Sequence, residues 1–336
     1  MHPQAASPGL AESRRGLEGR RRVSYLVPDQ DRPSWGIGLL YGHVRLLRQL
    51  GIDARVLHHR APFRVTWLED DVPIDYLDAD SLASSPSDVI VVPEVLAQEG
   101  PSLPKCHRLV FVQGSFLIAR GLAGAQGFRE LGYEAALAVL PHVAEILERY
   151  YDLPATTVPP FIAPYFFTTP EAIRSHPRRR TVLLSVKPEY RDFRIPDVEI
   201  IESVLRPRLA ATGWELLELG GLAHRGVAGA MQEAAFLVSL NTHEAFNTTV
   251  PEAMAAGCIP ICYEAFGGRD YLIDQENAHV FPNNHAYPLV QRALELARGF
   301  EEQPEALFPL RLAALDTASR FREEQTALAL QEVFSS

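Results

Sequence analysis

Lysine is almost missing from this sequence. Of 32 basic residues only two are lysines, Lys105 and Lys187, a skew that fits GC-rich codon usage. There is no excess of positive charge either. The net charge is −10 at pH 7, which gives no support to a nucleic-acid partner or to a bulk membrane surface. Cysteine is scarce: Cys106, Cys258 and Cys262 are an odd number without CxxC or zinc-knuckle spacing. That excludes a disulfide framework and predicts free thiols in a reducing, cytoplasmic setting. No apolar run approaches the ~18 residues of a membrane span. The first 22 residues carry no apolar h-region, so they do not read as a signal peptide. They read as a disordered leader, with weak peripheral contact to anionic lipid through Arg20, Arg21 and Arg22 as the alternative.

What is present is the composition of an ordinary globular protein, 47% hydrophobic and 22% charged over 336 residues. That length favours two domains of roughly 150 residues each. From position 23 apolar strands alternate with amphipathic helices. "RVSYLV", "DARVLHH", "DVIVVPE", "RLVFVQG", "AALAVLP" and "ATTVPP" read as strands, several of them unbroken apolar runs suited to a buried parallel sheet. "LLYGHVRLLRQLG" reads as a helix ending at Gly51.

Prolines then cluster in "DLPATTVPPFIAPYFFTTP" and mark a connector. The rhythm resumes with strands "TVLLSV", "WELLEL", "AFLVSL", "IPICYE" and "AHVF". Helices are expected at 197–210, 225–234, 250–257, 268–273, 286–299 and 304–333. The pattern predicts two doubly wound α/β domains. Their expected boundaries are a leader at 1–22, an N-terminal domain at 23–165 and a linker at 166–178. A C-terminal domain at 179–303 and a final helix over 304–336, returning to the N-terminal domain, complete the scheme. Ligands of such folds bind outside the carboxyl ends of the strands, so the loops there are the place to look.

One such loop reads "HEAFNTTVPEAMAAGCIPICYE". Thr249 and Glu252 have the spacing of a capping box, with Pro251 in the first turn. Yet Glu244 closes the loop after an apolar strand, and the helix that follows aims its N-terminus at the same region. An acid at each end of the loop, with a helix tip between them, suits a nucleoside diphosphate sugar: hydroxyls at both ends, phosphates in the middle.

The stretch from "AAFLVSL" to "AHVF" resembles the C-terminal half of retaining GT-B glycosyltransferases. The matching elements, in order, are Glu244, seven residues, Glu252, Ala253-Met254, Gly257-Cys258 and Pro260, then Gly267-Gly268 and Asp270-Tyr271-Leu272. The "VVPE" and "FVQG" strands and the "VPPFIAPYFF" connector are similar to that family's N-terminal domain and crossover. The resemblance implies a GT-B fold, two doubly wound Rossmann-like domains facing across a cleft. It also implies hexosyl transfer with retention from a UDP or GDP sugar, with no cofactor and no metal. Glu244 would position the donor sugar and Glu252 the ribose, with Phe246, Asn247, Thr248, Thr249, Gly267 and Gly268 around the donor. Lys187, with Arg191 second, would neutralise the diphosphate as charge builds on it.

Some positions depart from the family pattern. Ala245 and Asn247 stand where the resemblance has glycine, and the basic pair is spaced by four. On the acceptor side, Trp35-Gly36-Ile37-Gly38 approximates a Gly-Gly loop, and Gln113-Gly114 stands where many relatives carry histidine. Gly36, Gly38, Gln113 and His243 are therefore the acceptor-side candidates.

Other constellations point elsewhere. Asp78-x-Asp80 has a metal-binding look but sits in an acidic, proline-containing stretch that reads as a solvated loop. Gly36-x-Gly38 lies too far after its strand for a dinucleotide fingerprint. His43, His58, His59, His107, His142 and His224 show no metal spacing and read as surface or core, whereas His243 stands beside Glu244. The expected partners are a nucleotide sugar and an acceptor glycan, lipid or small molecule, as in polysaccharide or glycoconjugate synthesis. A nucleotide-sugar epimerase and a catalytically inactive binding subunit are the alternative readings.

Overall fold

The structure is a computed structural model that describes residues 22–32, 34–68, 71–77 and 85–335. The leader before Arg22 and the Asp78-x-Asp80 pair lie outside the described residues. The chain divides into two compact units: Met1–Phe161 with Glu323–Ser336, and Ile162–Arg322. No described helix is long and apolar enough to cross a membrane.

The first unit is built on a seven-stranded parallel sheet. Its strands are β1 (Val23–Leu26), β2 (Ala54–His58), β3 (Ile74–Tyr76), β4 (Val89–Pro93), β5 (His107–Val112), β6 (Ala135–Ala138) and β7 (Ala155–Thr157). Their order is β3-β2-β1-β4-β5-β6-β7. β1 and β4 are buried at every position, as expected of central strands covered on both faces. The helix Trp35–Gln49 buries Leu39, Leu40, Val44 and Leu47. The C-terminal helix Glu323–Phe334 belongs to this unit, where Glu323 pairs with Arg45 at 2.6 Å and Thr326 donates to the Pro159 carbonyl.

The second unit holds a five-stranded parallel sheet of β8 (Arg179–Ser185), β9 (Glu215–Glu218), β10 (Ala234–Ser239), β11 (Ile259–Tyr263) and β12 (His279–Phe281). The order is β12-β11-β10-β8-β9. After β8 the chain moves to one side of the sheet, and from β10 it proceeds to the other. The gap between the carboxyl ends of β8 and β10 is therefore a topological switch point. Six of six residues in β10 are buried, and Phe236 stacks on Trp214 with ring centroids 5.6 Å apart.

Four local expectations need correction. β3, three half-buried edge residues, carries no apolar run and is absent from the strand pattern read in the sequence. The helix expected at 268–273 lies at Ala265–Gly268 instead. The single closing helix is broken: a 3-10 turn, Pro304–Leu307, leads into Phe308–Ser319, and Glu323–Phe334 is separate. The break falls at Phe321, whose ring is buried against Phe246 and Tyr271 and whose carbonyl accepts from Ile162 N–H. The stretch expected as a linker carries the helix Pro170–Ser175, with Ile173 fully buried in the second unit.

Candidate functional site

Lys187 follows β8 and Glu244 follows β10, so both stand at the switch point. The Lys187 Nζ lies 2.7 Å from Glu244 Oε1, and each side chain is about one-third exposed, 32% and 30%. Behind them, Tyr190 Oη and Thr242 Oγ1 are 3.0 Å apart, and Thr242 N–H donates back to the phenol. This ties the loop after β8 to the loop after β10. His243 is exposed, with Nδ1 at 2.9 Å from Thr242 Oγ1.

The Glu244–Thr248 loop is shaped from within. Phe246 is buried between Tyr271 and Phe321, and Tyr271 Oη donates to the Phe246 carbonyl at 2.7 Å. Its ring is thus an anchor, in contrast to the donor contact expected of it. Asn247 adopts φ +56° and is buried, with Nδ2 lacking a hydrogen-bond partner. That left-handed backbone is one that asparagine tolerates and most residues avoid. It explains how a non-glycine residue holds the position where the resemblance has glycine. Gly267 N–H donates to the Glu244 carbonyl at 2.9 Å, and a Cβ on Gly267 would meet the Ala245 carbonyl oxygen at 1.8 Å. The close approach this glycine permits is between two loops of the protein. Gly268 follows it, packed on Leu272.

The capping box is not formed. The helix Thr249–Ala255 has Thr248 as its N-cap, in helical conformation and without a side-chain cap. Glu252 turns away from the helix end, and its Oε1 lies 2.9 Å from His224 Nε2. The other ring nitrogen of His224 is 2.6 Å from Tyr165 Oη. Glu252 is buried at 6% exposure, and burial pushes its carboxyl above the ordinary range while the His224 hydrogen bond and charge oppose the shift. The far end of this helix is held by two arginines: Arg178 donates to the Ala256 carbonyl and Arg311 to that of Gly257. Cationic groups belong at a helix C-terminus, and here they fix the element that carries Glu252.

Arg191 stands apart from this group. Its guanidinium donates to Glu218 at 2.6 Å and to Glu202 at 3.1 Å, and those hydrogen bonds raise its pKa. Two carboxylates already balance its charge, which leaves Lys187 as the cation beside Glu244.

In the first unit Gly36 and Gln113 meet. The Gln113 Nε2 donates to the Gly36 carbonyl at 3.3 Å, and a Cβ on Gly36 would lie 2.4 Å from Gln113 Oε1. Gly38 is on the same helical turn with only ordinary contacts to Trp67 and Leu68. Sequence reasoning passed over Glu94, which follows β4 at 1% exposure and accepts from Gly114 N–H at 2.8 Å. Burial pushes its carboxyl up to about 7 against the backbone hydrogen bonds of Gln113, Glu94 and Gly114. An acid closing a buried strand was the signal available, as at Glu244. A groove of about 1070 Å³ near the ends of β1 and β2 is lined by Asp29, Asp31, His59, Arg60, Phe63 and Arg64 among others. Asp29 pins its wall by accepting from His59 N–H and Arg60 N–H.

Solved structures resemble the fold of this chain along nearly its whole length. HepE from Anabaena, solved with UDP, superposes with a TM-score of 0.68 at 13% identity, covering 94% of this chain and 99% of that one. The fold is GT-B. Sucrose-phosphate synthase from Thermosynechococcus elongatus gives 0.67 at 13% identity, over 94% of this chain and 98% of that one. A glycosyltransferase from Rickettsia africae gives 0.65 at 12% identity over the same shares. No family model and no curated protein matches the sequence. At such identities the likeness is one of fold. The two parallel sheets of this GT-B chain, with their switch points, are the framework on which its own side chains must be read.

Proposed function

We propose that this chain is a glycosyltransferase that moves a sugar from a uridine diphosphate donor to an acceptor hydroxyl, with retention at the anomeric carbon. The observation that carries the proposal is the Lys187–Glu244 pair at the β8–β10 switch point, 2.7 Å apart, with a second, buried glutamate eight positions on. HepE has been solved with UDP and with UDP-glucose, which favours the uridine over the guanosine nucleotide.

In this reading Lys187 faces the diphosphate and stabilises the charge that grows on it as the bond from sugar C1 to phosphate oxygen breaks. Glu244, released from Lys187 when the phosphates arrive, accepts from hydroxyls of the donor sugar. Glu252 accepts from the ribose. The acceptor oxygen attacks C1 on the face the nucleotide leaves, and its proton passes to the departing phosphate oxygen, so no enzyme nucleophile is required. Gly36, Gln113 and Glu94 belong to the acceptor side. The acceptor is a glycan, a lipid or a small molecule.

The test is thermal unfolding with UDP, GDP and a panel of UDP-sugars, because a ligand bound only by the folded state raises the melting temperature. UDP should shift it and GDP should not. The product anomer, read by NMR from the sugar giving the largest shift, should match the donor. Absence of any shift with UDP or its sugars overturns the proposal.

A further inference from the structure

The hydrogen-bonded chain Tyr165–His224–Glu252 extends beyond the one member, Glu252, that has a place in the function so far described. It joins three separate elements of the second unit: the turn Pro164–Phe166, the first residue of the helix His224–Glu233, and the helix Thr249–Ala255. We propose that His224 is a positioning residue of the ribose site, holding the Glu252 carboxylate ionised and in one orientation. This rests on the reading of the second unit as a nucleotide site.

The chemistry of the chain assigns its protons. Glu252 at 2.9 Å needs a donor, so His224 Nε2 carries hydrogen. A neutral imidazole with hydrogen on Nε2 has a lone pair on Nδ1, and Tyr165 Oη at 2.6 Å donates into it. The opposite tautomer would aim a lone pair at the carboxylate. Protonation of the ring keeps the Nε2 donor and turns the phenol into an acceptor, so the hydrogen bond to Glu252 survives both charge states.

The ring is braced as well as bonded. It lies edge-on to Tyr165 and against Phe166, with centroids 5.7 and 4.9 Å away. The Arg225 guanidinium stands 4.4 Å from the Tyr165 ring centroid. Tyr165 and Arg225 are the titratable and charged groups beside the imidazole, from the turn and the helix that pack against the helix of Glu252. Arg311, from the helix Phe308–Ser319 that also packs there, and Arg178 sit at its far end on the Gly257 and Ala256 carbonyls. A carboxylate this deeply buried tends to neutral, and a neutral one is a poor acceptor for two ribose hydroxyls. The imidazole opposes that tendency. It also engages Oε1, leaving Oε2 as the oxygen available to ribose.

The experiment measures UDP and 2′-deoxy-UDP binding by calorimetry from pH 5 to 8 in wild type, His224→Ala and His224→Gln. The ring is 54% exposed, so both variants should fold, with His224→Ala melting below the wild type because it leaves buried Glu252 without its donor. In His224→Ala, UDP should bind about tenfold more weakly at pH 7, the scale of one hydrogen bond to a charged group. The preference for UDP over its 2′-deoxy form should shrink, and the acidic limb of the binding profile should move to higher pH. Gln, whose amide can donate from the same side, should restore most of the affinity. A uniform loss at every pH with the sugar preference intact would mean mere structural support and overturns the inference. So would wild-type binding in both variants. A wild type that binds no UDP at all overturns the nucleotide reading together with it.

Discussion

A Cβ added to Gly267 would stand 1.8 Å from the carbonyl oxygen of Ala245. No real contact is that short, and the obstacle is backbone, so one of the two loops must move. Gly267→Ala should therefore cost about 1–3 kcal/mol, the scale of overpacking a well-packed site. Because the displaced loop carries Glu244, turnover should fall more than stability implies. Urea denaturation with an assay of sugar transfer checks this. A variant as stable and active as the wild type would mean the two loops are not held against each other.

Lys187 and Arg191 lie four residues apart and face different partners. The Lys187–Glu244 pair is about one-third exposed on each side, and pairs of that kind contribute about 0–1 kcal/mol to stability. Lys187→Ala should melt near the wild-type temperature while turnover drops by about 100-fold, the effect of losing one group that stabilises transition-state charge. Arg191→Ala should leave UDP affinity and turnover within about threefold, since its charge is engaged by Glu202 and Glu218. Steady-state kinetics on both variants decides it: equal losses would place Arg191 at the diphosphate after all.

The central strands were legible because a parallel strand covered on both faces must be apolar throughout. β4 and β10 are unbroken runs in sequence and fully buried in space. β3 was not, because Ile74–Tyr76 is a short edge strand with one face open and no pattern to detect. The positions of Lys187 and Glu244 followed from their strands, whereas their pairing at 2.7 Å is visible only in the structure. Glu252 was legible as a position but not in its bonding. A threonine three residues earlier suggested a cap, whereas the acid reaches a histidine 28 positions upstream. Nothing local marks His224 except that it opens the helix following β9. Phe246 illustrates the same limit: its neighbour Phe321 lies 75 positions away, and only tertiary packing shows that the ring is an anchor.

Asn247 at φ +56° yields a prediction about backbone alone. A left-handed residue costs roughly 1–2 kcal/mol when it carries an ordinary side chain, and glycine carries no such penalty. Asn247→Gly should be at least as stable as the wild type, since it also removes a buried amide nitrogen without a partner. Asn247→Val should lose about 2 kcal/mol or more, because a β-branched side chain is least at ease there. Chemical denaturation of the three proteins orders them, and a valine variant as stable as the glycine variant would contradict the strain.

Glu94 makes the stability of the first unit depend on pH. Burial pushes its carboxyl up to about 7 in the folded chain, against an ordinary value near 4.3 when unfolded. Between those values the folded state holds the proton more tightly, so the contribution is complete below the unfolded value and is lost as pH rises through 7. The loss approaches about 4 kcal/mol above pH 8, at roughly 1.4 kcal/mol per pH interval between the two values. Glu94→Gln keeps an oxygen to accept from Gly114 N–H but has no proton to lose. Relative to wild type it should therefore be stabilised at pH 8 and not at pH 5. Buried His43, pushed down to about 3, works in the opposite direction, weakening the fold as pH drops below the ordinary histidine range. That effect is common to both proteins and cancels in the difference. Urea midpoints measured for the pair across pH 5 to 8 give the slope, and a stability difference that stays flat with pH would show that Glu94 is ionised in the folded state throughout.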